Sequence, residues 1–433
     1  MTDEQTRHQN SVNASPPLGR SLGALDGLNF FLADVQSGLG PFLGIYLLTV
    51  PGWSTSDIGL ALTVGGLVGL IVQTPIGALI DKTPHKRSLI IIAALATGIG
   101  AFTITVNPSY SVITAAQLVT GIAGTVFPPA IAAIALGLVG SAAYTYRTGR
   151  MAAFNHAGNV VGAVVFGTAG YLITIKAGFW FAGIVTILVA AATLMIDPRL
   201  INNDVARGLT PGESAKQDGQ RKPSGFGVLL HSRPLLALCA ATMLWQLANG
   251  AMLPLTGQEL AQTDARMGTL FQAALIVVAQ LVMIPMAIMI AKHGKDWGRK
   301  PIFLAAFLVL PIRGVLFTLS DHPLYVISIQ ILDGIGAGIY GAMFVLVVAD
   351  LTRGTGHFNL ALGAATTIQG IGAALSPALA GFVADAGGFH LALLMLSGIA
   401  VLALIVFVLG VPETANIPDT VPSSSNSKKP QPS

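Results

Sequence analysis

Charge is what this chain has least of. Lys, Arg, Asp and Glu make up only 10% of its 433 residues, against about 25% in an ordinary soluble protein. With 53% hydrophobic residues it has too little polar surface to hold a fold of this size in water, so a soluble multidomain protein is excluded. Cysteine is almost missing: the single Cys239 rules out an intrachain disulfide and a thiolate metal cluster, and its apolar neighbours mark it as an inert helix residue. The histidines lie mostly in loops and tails without metal-ligand spacing. No nucleophile elbow, phosphate-binding loop or paired-carboxylate motif occurs, so neither an enzyme nor a cofactor or metal is expected. A basic stripe is lacking too. The net charge of +4 is scattered through loops, which excludes nucleic acid as a partner. Residues 1–24 are polar and have no apolar core of a cleavable signal, so the first apolar run is expected to stay as a membrane span.

What the chain does have is apolar runs of bilayer-spanning length, at 25–48, 57–80, 88–106, 111–139, 150–174 and 177–196, then at 234–258, 267–290, 301–320, 323–349, 359–384 and 388–411. They lack the alternation of strands and are too long for a membrane barrel, which needs about ten residues per strand. The 50 Gly and 24 Pro sit inside these runs, where neighbouring helices tolerate them and bends are expected. The expected architecture is an all-α membrane protein of twelve transmembrane helices, with the lipid bilayer as its main partner. Residues 1–24 form a tail, 25–196 a first six-helix half, 197–233 a hydrophilic linker, 234–411 a second six-helix half and 412–433 a second tail.

Placing both termini in the cytoplasm puts 20 of the 23 Lys and Arg on that side. Only Lys176 and Arg266 fall outside and Arg313 inside a run, so the positive-inside asymmetry sets the orientation. Sliding the chain by 213 residues brings Pro41 onto Pro254, Gln36 onto Asn249, Gln117 onto Gln330, Gly121 onto Gly334 and Arg87 onto Lys300. Six spans per half is an even number, so the halves are parallel repeats about an axis along the membrane normal.

Between the second and third runs stands GALIDKTPHKR, residues 77–87: a glycine at a helix end, a carboxylate four residues on, then a compact basic turn. With Gly77, Leu79, Asp81, Lys82, Lys86 and Arg87 it resembles the signature loop of the major facilitator superfamily. Pro84 stands where a second Gly is usual, and His85 where an Arg is usual. The corresponding loop of the second half keeps Gly298, Arg299 and Lys300 in a degenerate copy. The resemblance covers residues 25–411 and implies a monomeric secondary transporter working by alternating access, multi-pass in the cell membrane. It also implies that these loop residues act as a conformational latch, with Asp81 holding the outward-facing state. Two exporter features are missing. Gln117 stands where many drug exporters carry an Arg before a Gly in the fourth span, and the fifth span lacks the usual Gly-Pro.

In the family, spans one, four, seven and ten line the central cavity. Here those runs contain Asp34 and Asp333, each about ten residues deep, together with Gly and Pro series that break helices. A carboxylate at mid-bilayer costs at least about 2.5–3.5 kcal/mol and needs a partner, water or a proton. Asp333, then Asp34, are therefore candidate proton-coupling groups. The competing reading of each is a hydrogen-bonded acid that merely fixes packing. Arg313 either pairs with an acid or snorkels from a peripheral span. In the fifth span Asn155 and Asn159 share a face while His156 is turned by about 100°; His156 is either a structural histidine or a further proton carrier. Gln36, Gln117, Trp245, Gln246, Asn249, Tyr340 and Gln369 complete a candidate cavity lining, with ordinary interhelical bonding as the alternative. The two mid-membrane acids, with no Lys or Arg in those runs, suit a small neutral or cationic organic solute, exchanged for protons. Export is the leading expectation, with proton-coupled uptake and a flux-free sensor as the alternatives.

Overall fold

The computed structural model describes residues 16–37, 39–207, 232–293, 297–353 and 357–414. The expected C-terminal tail beyond 414, most of the N-terminal tail and most of the linker lie outside the described residues. Among the described residues there is no strand, and nine helices are long and apolar enough to cross a membrane.

Helix α1, Pro16–Ser37, and α2, Leu39–Leu48, together make the first apolar run. Residues 16–24, expected in the tail, are already helical, and Ser21, Leu22 and Ala24 are buried there and extend the packed face. Helix α3, Thr55–Lys82, opens with a capping box: the Ser54 hydroxyl accepts from the Asp57 amide at 3.1 Å and the Asp57 carboxylate accepts from the Ser54 amide at 3.2 Å. Then come α4, Lys86–Val106, and α5, Tyr110–Leu172, followed by α6, Ile175–Leu194, and the short α7, Asn203–Ala206. The second part of the chain comprises α8, Arg233–Asn249, and α9, Met252–Ala261, then α10, Ala265–His293, α11, Arg299–Phe317, α12, Pro323–Leu351, and α13, Phe358–Gly410.

Helices α5 and α13 run for 63 and 53 residues, far more than the roughly 20 that a bilayer requires. Each is two helices joined across one glycine, Gly140 at φ 68° and Gly388 at φ 87°, a backbone that residues with a Cβ adopt only at a cost. The segment 141–149, expected as a loop, is therefore helical on the far side of Gly140. Its Arg147 turns inward to a buried partner instead of hanging in solvent.

The buried apolar side chains gather in three clusters. One is built wholly from residues between Leu235 and Val411, centred on Phe303, Phe307 and Phe407. A second lies between Leu22 and Ile196. The third, around Phe42, Phe166 and Phe179, also takes in Ala273 and Ile276 of α10, and so ties the two parts of the chain together.

Candidate functional site

The seventh run is interrupted. Helix α8 stops at Asn249, five residues before Pro254. Proline has no amide to close the turn behind it, which loosens the helix there. At this break the freed Ala251 amide finds a new acceptor in the Ser376 hydroxyl of α13, at 2.8 Å. One expected bend thus falls where the candidate residue Asn249 sits. The side chains of Asp34 and Gln36 lie outside the described residues. The tenth span differs: α12 is unbroken. Its Gly334 and Gly338 serve as contact points for Val282 and Met286 of α10, because a small residue lets two helices approach closely.

Asn249 accepts a 2.7 Å hydrogen bond from the Arg313 guanidinium, and Arg313 forms an ion pair with Asp333. The same guanidinium touches the Met252 sulfur at 3.2 Å. The Arg313 side chain is 2% exposed and that of Asp333 15%. Arg313 therefore does not snorkel: the neighbouring Gly314 packs tightly against Ser397 and Met252, and α11 turns the guanidinium inward. Charge that the cavity helices leave for a proton or solute to balance is balanced here by a cation from outside those helices. Breaking such a pair from either side strands a buried charge.

The other candidates divide into two groups. Trp245 and Tyr340 stack face to face at 4.0 Å and are 3% and 6% exposed, inside the apolar core of the second part of the chain. Their expected role as lining gives way to packing, since flat rings next to Phe303 and Phe344 gain more from burial than from water. Tyr340 keeps one polar handle, a 2.6 Å hydrogen bond to the half-buried Gln369. Gln246 is half-buried. Gln117 is buried where α5 crosses α3 at Gly65, and its repeat partner Gln330 is fully buried with neither amide atom bonded. Asn159 donates to Asn155 at 3.3 Å. His156 reaches Gln280 of α10 at 2.7 Å, joining the two parts of the chain.

The signature loops have a structural task as well. Arg87 donates to the last carbonyls of α6, Thr193 at 3.0 Å and Leu194 at 2.7 Å. Lys300 does the same to Val408 of α13, at 2.9 Å. The two basic residues matched by the repeat thus cap equivalent helix ends, satisfying carbonyls that have no partner in the helix. Lys86 is buried and donates to the Thr83 carbonyl, while the Lys82 carbonyl accepts from Arg207. Arg299 bonds Asp350 at 3.2 Å. Gly298 precedes α11 at φ 82°, a turn that suits glycine. Asp81 is exposed and forms no hydrogen bond or ion pair among the described residues.

Contact between α3 and α13 decides the shape of the interior. The helices run antiparallel in a register where facing residue numbers sum to about 440: Thr55 with Asp385, Gly66 with Ala374, Leu70 with Gly370. The Asp385 carboxylate accepts from the Thr55 amide at 3.0 Å and the Ser56 amide at 2.9 Å, and the Thr63 hydroxyl accepts from the Ala378 amide at 3.1 Å. A Cβ on Gly59 would run into the Pro377 carbonyl. The same register would pair Gly77 with Gly363, yet both have open space where a Cβ would stand. The helices touch closely at the end that carries Thr55 and part at the end that carries the signature loop. The Thr55 end is also sealed by the Gln258 side chain against Gly44 and by Thr269 and Ala273 against Gly167 and Gly170.

Sequence reasoning missed three polar groups. Asp26 accepts from Arg147 at 2.6 Å and Arg150 at 2.9 Å; the i, i+3 spacing of the two arginines was the available signal. Asp350 is held by Arg299, Arg353 and Thr414. Asp385 was hidden because its partners are backbone amides more than three hundred residues away.

These features define a multi-pass helical membrane protein whose interior is sealed at one end. The chain belongs to the Major Facilitator Superfamily, whose family model matches residues 25–310 and 235–431. Two uncharacterized MFS-type transporters from Mycobacterium tuberculosis strains CDC 1551 and H37Rv are each 45% identical over 408 residues, 94% of this chain and 96% of theirs. Among solved structures, the nucleoside transporter NupG aligns with a TM-score of 0.71 at 14% identity, over 90% of this chain and 98% of that one. A bacterial homolog of the human lysosomal transporter Spinster, in an inward-facing and unoccupied conformation, aligns with a TM-score of 0.70 at 13% identity, over 92% and 97%. Similarity at that identity speaks for the fold alone. The protein is a membrane transporter of this superfamily, and relatives named as transporters are consistent with a non-enzyme.

Proposed function

We propose that the protein is a monomeric, proton-coupled exporter of a small neutral or cationic organic solute, in its inward-facing state here. Both termini and the linker are cytoplasmic, so the open end that carries Lys82, Lys86 and Arg87 faces the cytoplasm and the sealed Thr55 end faces outward. Counting residues 16–48 as one span, and each Gly-kinked helix as two, gives twelve spans in two six-helix halves.

The observation that carries this reading is the parting of α3 from α13. One register holds from Thr55 and Asp385 to Leu70 and Gly370, then opens before Gly77 and Gly363. Two rigid halves that rock about a midplane site close one end by opening the other. An interior open to the cytoplasm is where an exporter loads. The exposed Asp81 fits a latch that is released in this state. Proton coupling runs through Asp333: a proton and Arg313 compete for one carboxylate, and loss of the pair frees Asn249 and Met252 at the break of the seventh span. Asp34 and His156 are the further candidates. The paired Asp333 and the amides Asn155, Asn159, Gln246 and Gln369 favour a neutral or cationic solute, because a polyanion would find no unpaired cation in that set.

Flux in proteoliposomes under pH gradients of either direction tests the reading. A proton gradient inward from the external face should drive solute out, with Asp333→Asn uncoupled from the gradient but still able to exchange downhill. Accumulation in the opposite sense would establish uptake, and saturable binding without flux would establish a sensor.

A further inference from the structure

At the sealed end, three chemically reactive side chains from distant segments converge. Glu259 lies in the last turn of α9, Asp321 in the turn before α12, and His390 two residues beyond the Gly388 kink. The His390 Nε2 atom stands 2.9 Å from an Asp321 oxygen and 3.3 Å from a Glu259 oxygen. All three donor atoms lie within 4.8 Å of one another.

Charge is the first argument. Among the described residues neither carboxylate has a Lys or Arg partner. Even a protonated imidazole supplies one positive charge to two carboxylates, so at least one negative charge stays uncompensated. For Glu259, whose side chain is only 18% exposed, that is unfavourable in a medium less polar than water. A divalent cation balances the site.

Geometry is the second argument. In a tetrahedral shell with bonds of about 2.0–2.1 Å, neighbouring donor atoms lie about 3.3–3.4 Å apart. The two separations from Nε2, 2.9 Å and 3.3 Å, are already close to such edges. Asp321, 72% exposed, is free to turn and close the third. An imidazole nitrogen beside two carboxylates suits zinc-class ions, whereas calcium and magnesium prefer shells made of oxygen.

We propose that Glu259, Asp321 and His390 form a binding site for a divalent transition-metal ion of the zinc class, with a fourth position open to water. The ion joins α9, the turn before α12 and the last helix. Glu259 adjoins Gln258, whose side chain fills the space above Gly44, so a bound ion stiffens the seal on that end. Binding itself does not depend on what the protein transports, or on whether it transports by the route proposed above.

The test is calorimetric titration of Zn2+ into the purified full-length chain, prepared without a polyhistidine tag. One saturable site per chain is expected, with Zn2+ raising the melting temperature and binding weakening as the pH is lowered, since the donors must lose their protons. His390→Ala and Glu259→Gln should each weaken binding by about tenfold or more. The exposed Asp321→Asn supplies a variant whose fold is not in question, and it should do the same. Absence of saturable Zn2+ binding, binding unchanged in these variants, or equal affinity for Ca2+ would each overturn the assignment.

Discussion

Removing the Asp385 carboxylate should open the sealed end. Its two oxygens accept the Thr55 and Ser56 amides, at 3.0 Å and 2.9 Å, at the start of α3. Those amides are among the helix donors left without intrahelical partners, and a negative charge there also meets the positive end of the helix dipole. A hydrogen bond to a charged group contributes about 1.5–3 kcal/mol when well shielded. Because Asp385 is exposed, water replaces much of each bond, and a net loss of about 1–2 kcal/mol is the sounder figure for Asp385→Ala. That corresponds to a population shift of about 5–30-fold toward a state open at the Thr55 end. A reporter is available at Ala374, which packs on Gly66 inside the seal. In a Cys239→Ala background, Ala374→Cys should react slowly with a maleimide, at a rate proportional to the open fraction. Adding Asp385→Ala should speed that reaction by the same factor. Asp385→Asn, which keeps one acceptor oxygen, should fall between the two. An unchanged labelling rate in a folded Asp385→Ala protein would refute the reasoning, since it would show that the carboxylate does not hold the two helices together.

The buried pair predicts a strong non-additivity: Arg313→Met or Asp333→Leu alone should destabilise by about 3–5 kcal/mol, while the double variant regains most of it, as read from thermal melts in detergent. Gly59→Val and Gly363→Val should act in opposite directions, the first slowing closure of the Thr55 end because its side chain meets the Pro377 carbonyl, the second slowing closure of the other end; cysteine accessibility on each side reads both. Asp81→Asn should lower flux without changing the melting temperature, since Asp81 forms no hydrogen bond or ion pair among the described residues; normal flux at normal expression would remove its latch role.

Much of the architecture was legible because the bilayer admits few solutions. Runs of about twenty apolar residues must be helices when no strand alternation is present, and the described residues of those runs are helical. Proline chemistry is local, so Pro254 announced the interruption of the seventh run before any contact was known. The 213-residue repeat even matched Arg87 with Lys300, which turn out to cap equivalent helix ends. The signature loop named the superfamily from six residues.

What neighbours decide was out of reach. Hydropathy registers Arg313 only as a charge in an apolar run. Whether it snorkels or turns inward depends on the rotation of α11 about its axis, which is set by packing at Gly314 against Ser397 and Met252. Trp245 and Tyr340 present the same polar atoms to a sequence reader whether they line a cavity or stack in a core, and the difference lies in the aromatic rings that surround them. The helical stretch after Gly140 required a positive φ that no periodicity reveals. Asp385 meets its partners only when α13 lies antiparallel to α3, and the 440 register that joins them exists nowhere along the chain. Composition, charge and local breaks are written in consecutive residues. Which face each helix turns inward, and which end of the molecule is sealed, are properties of pairs of helices and come only from their packing.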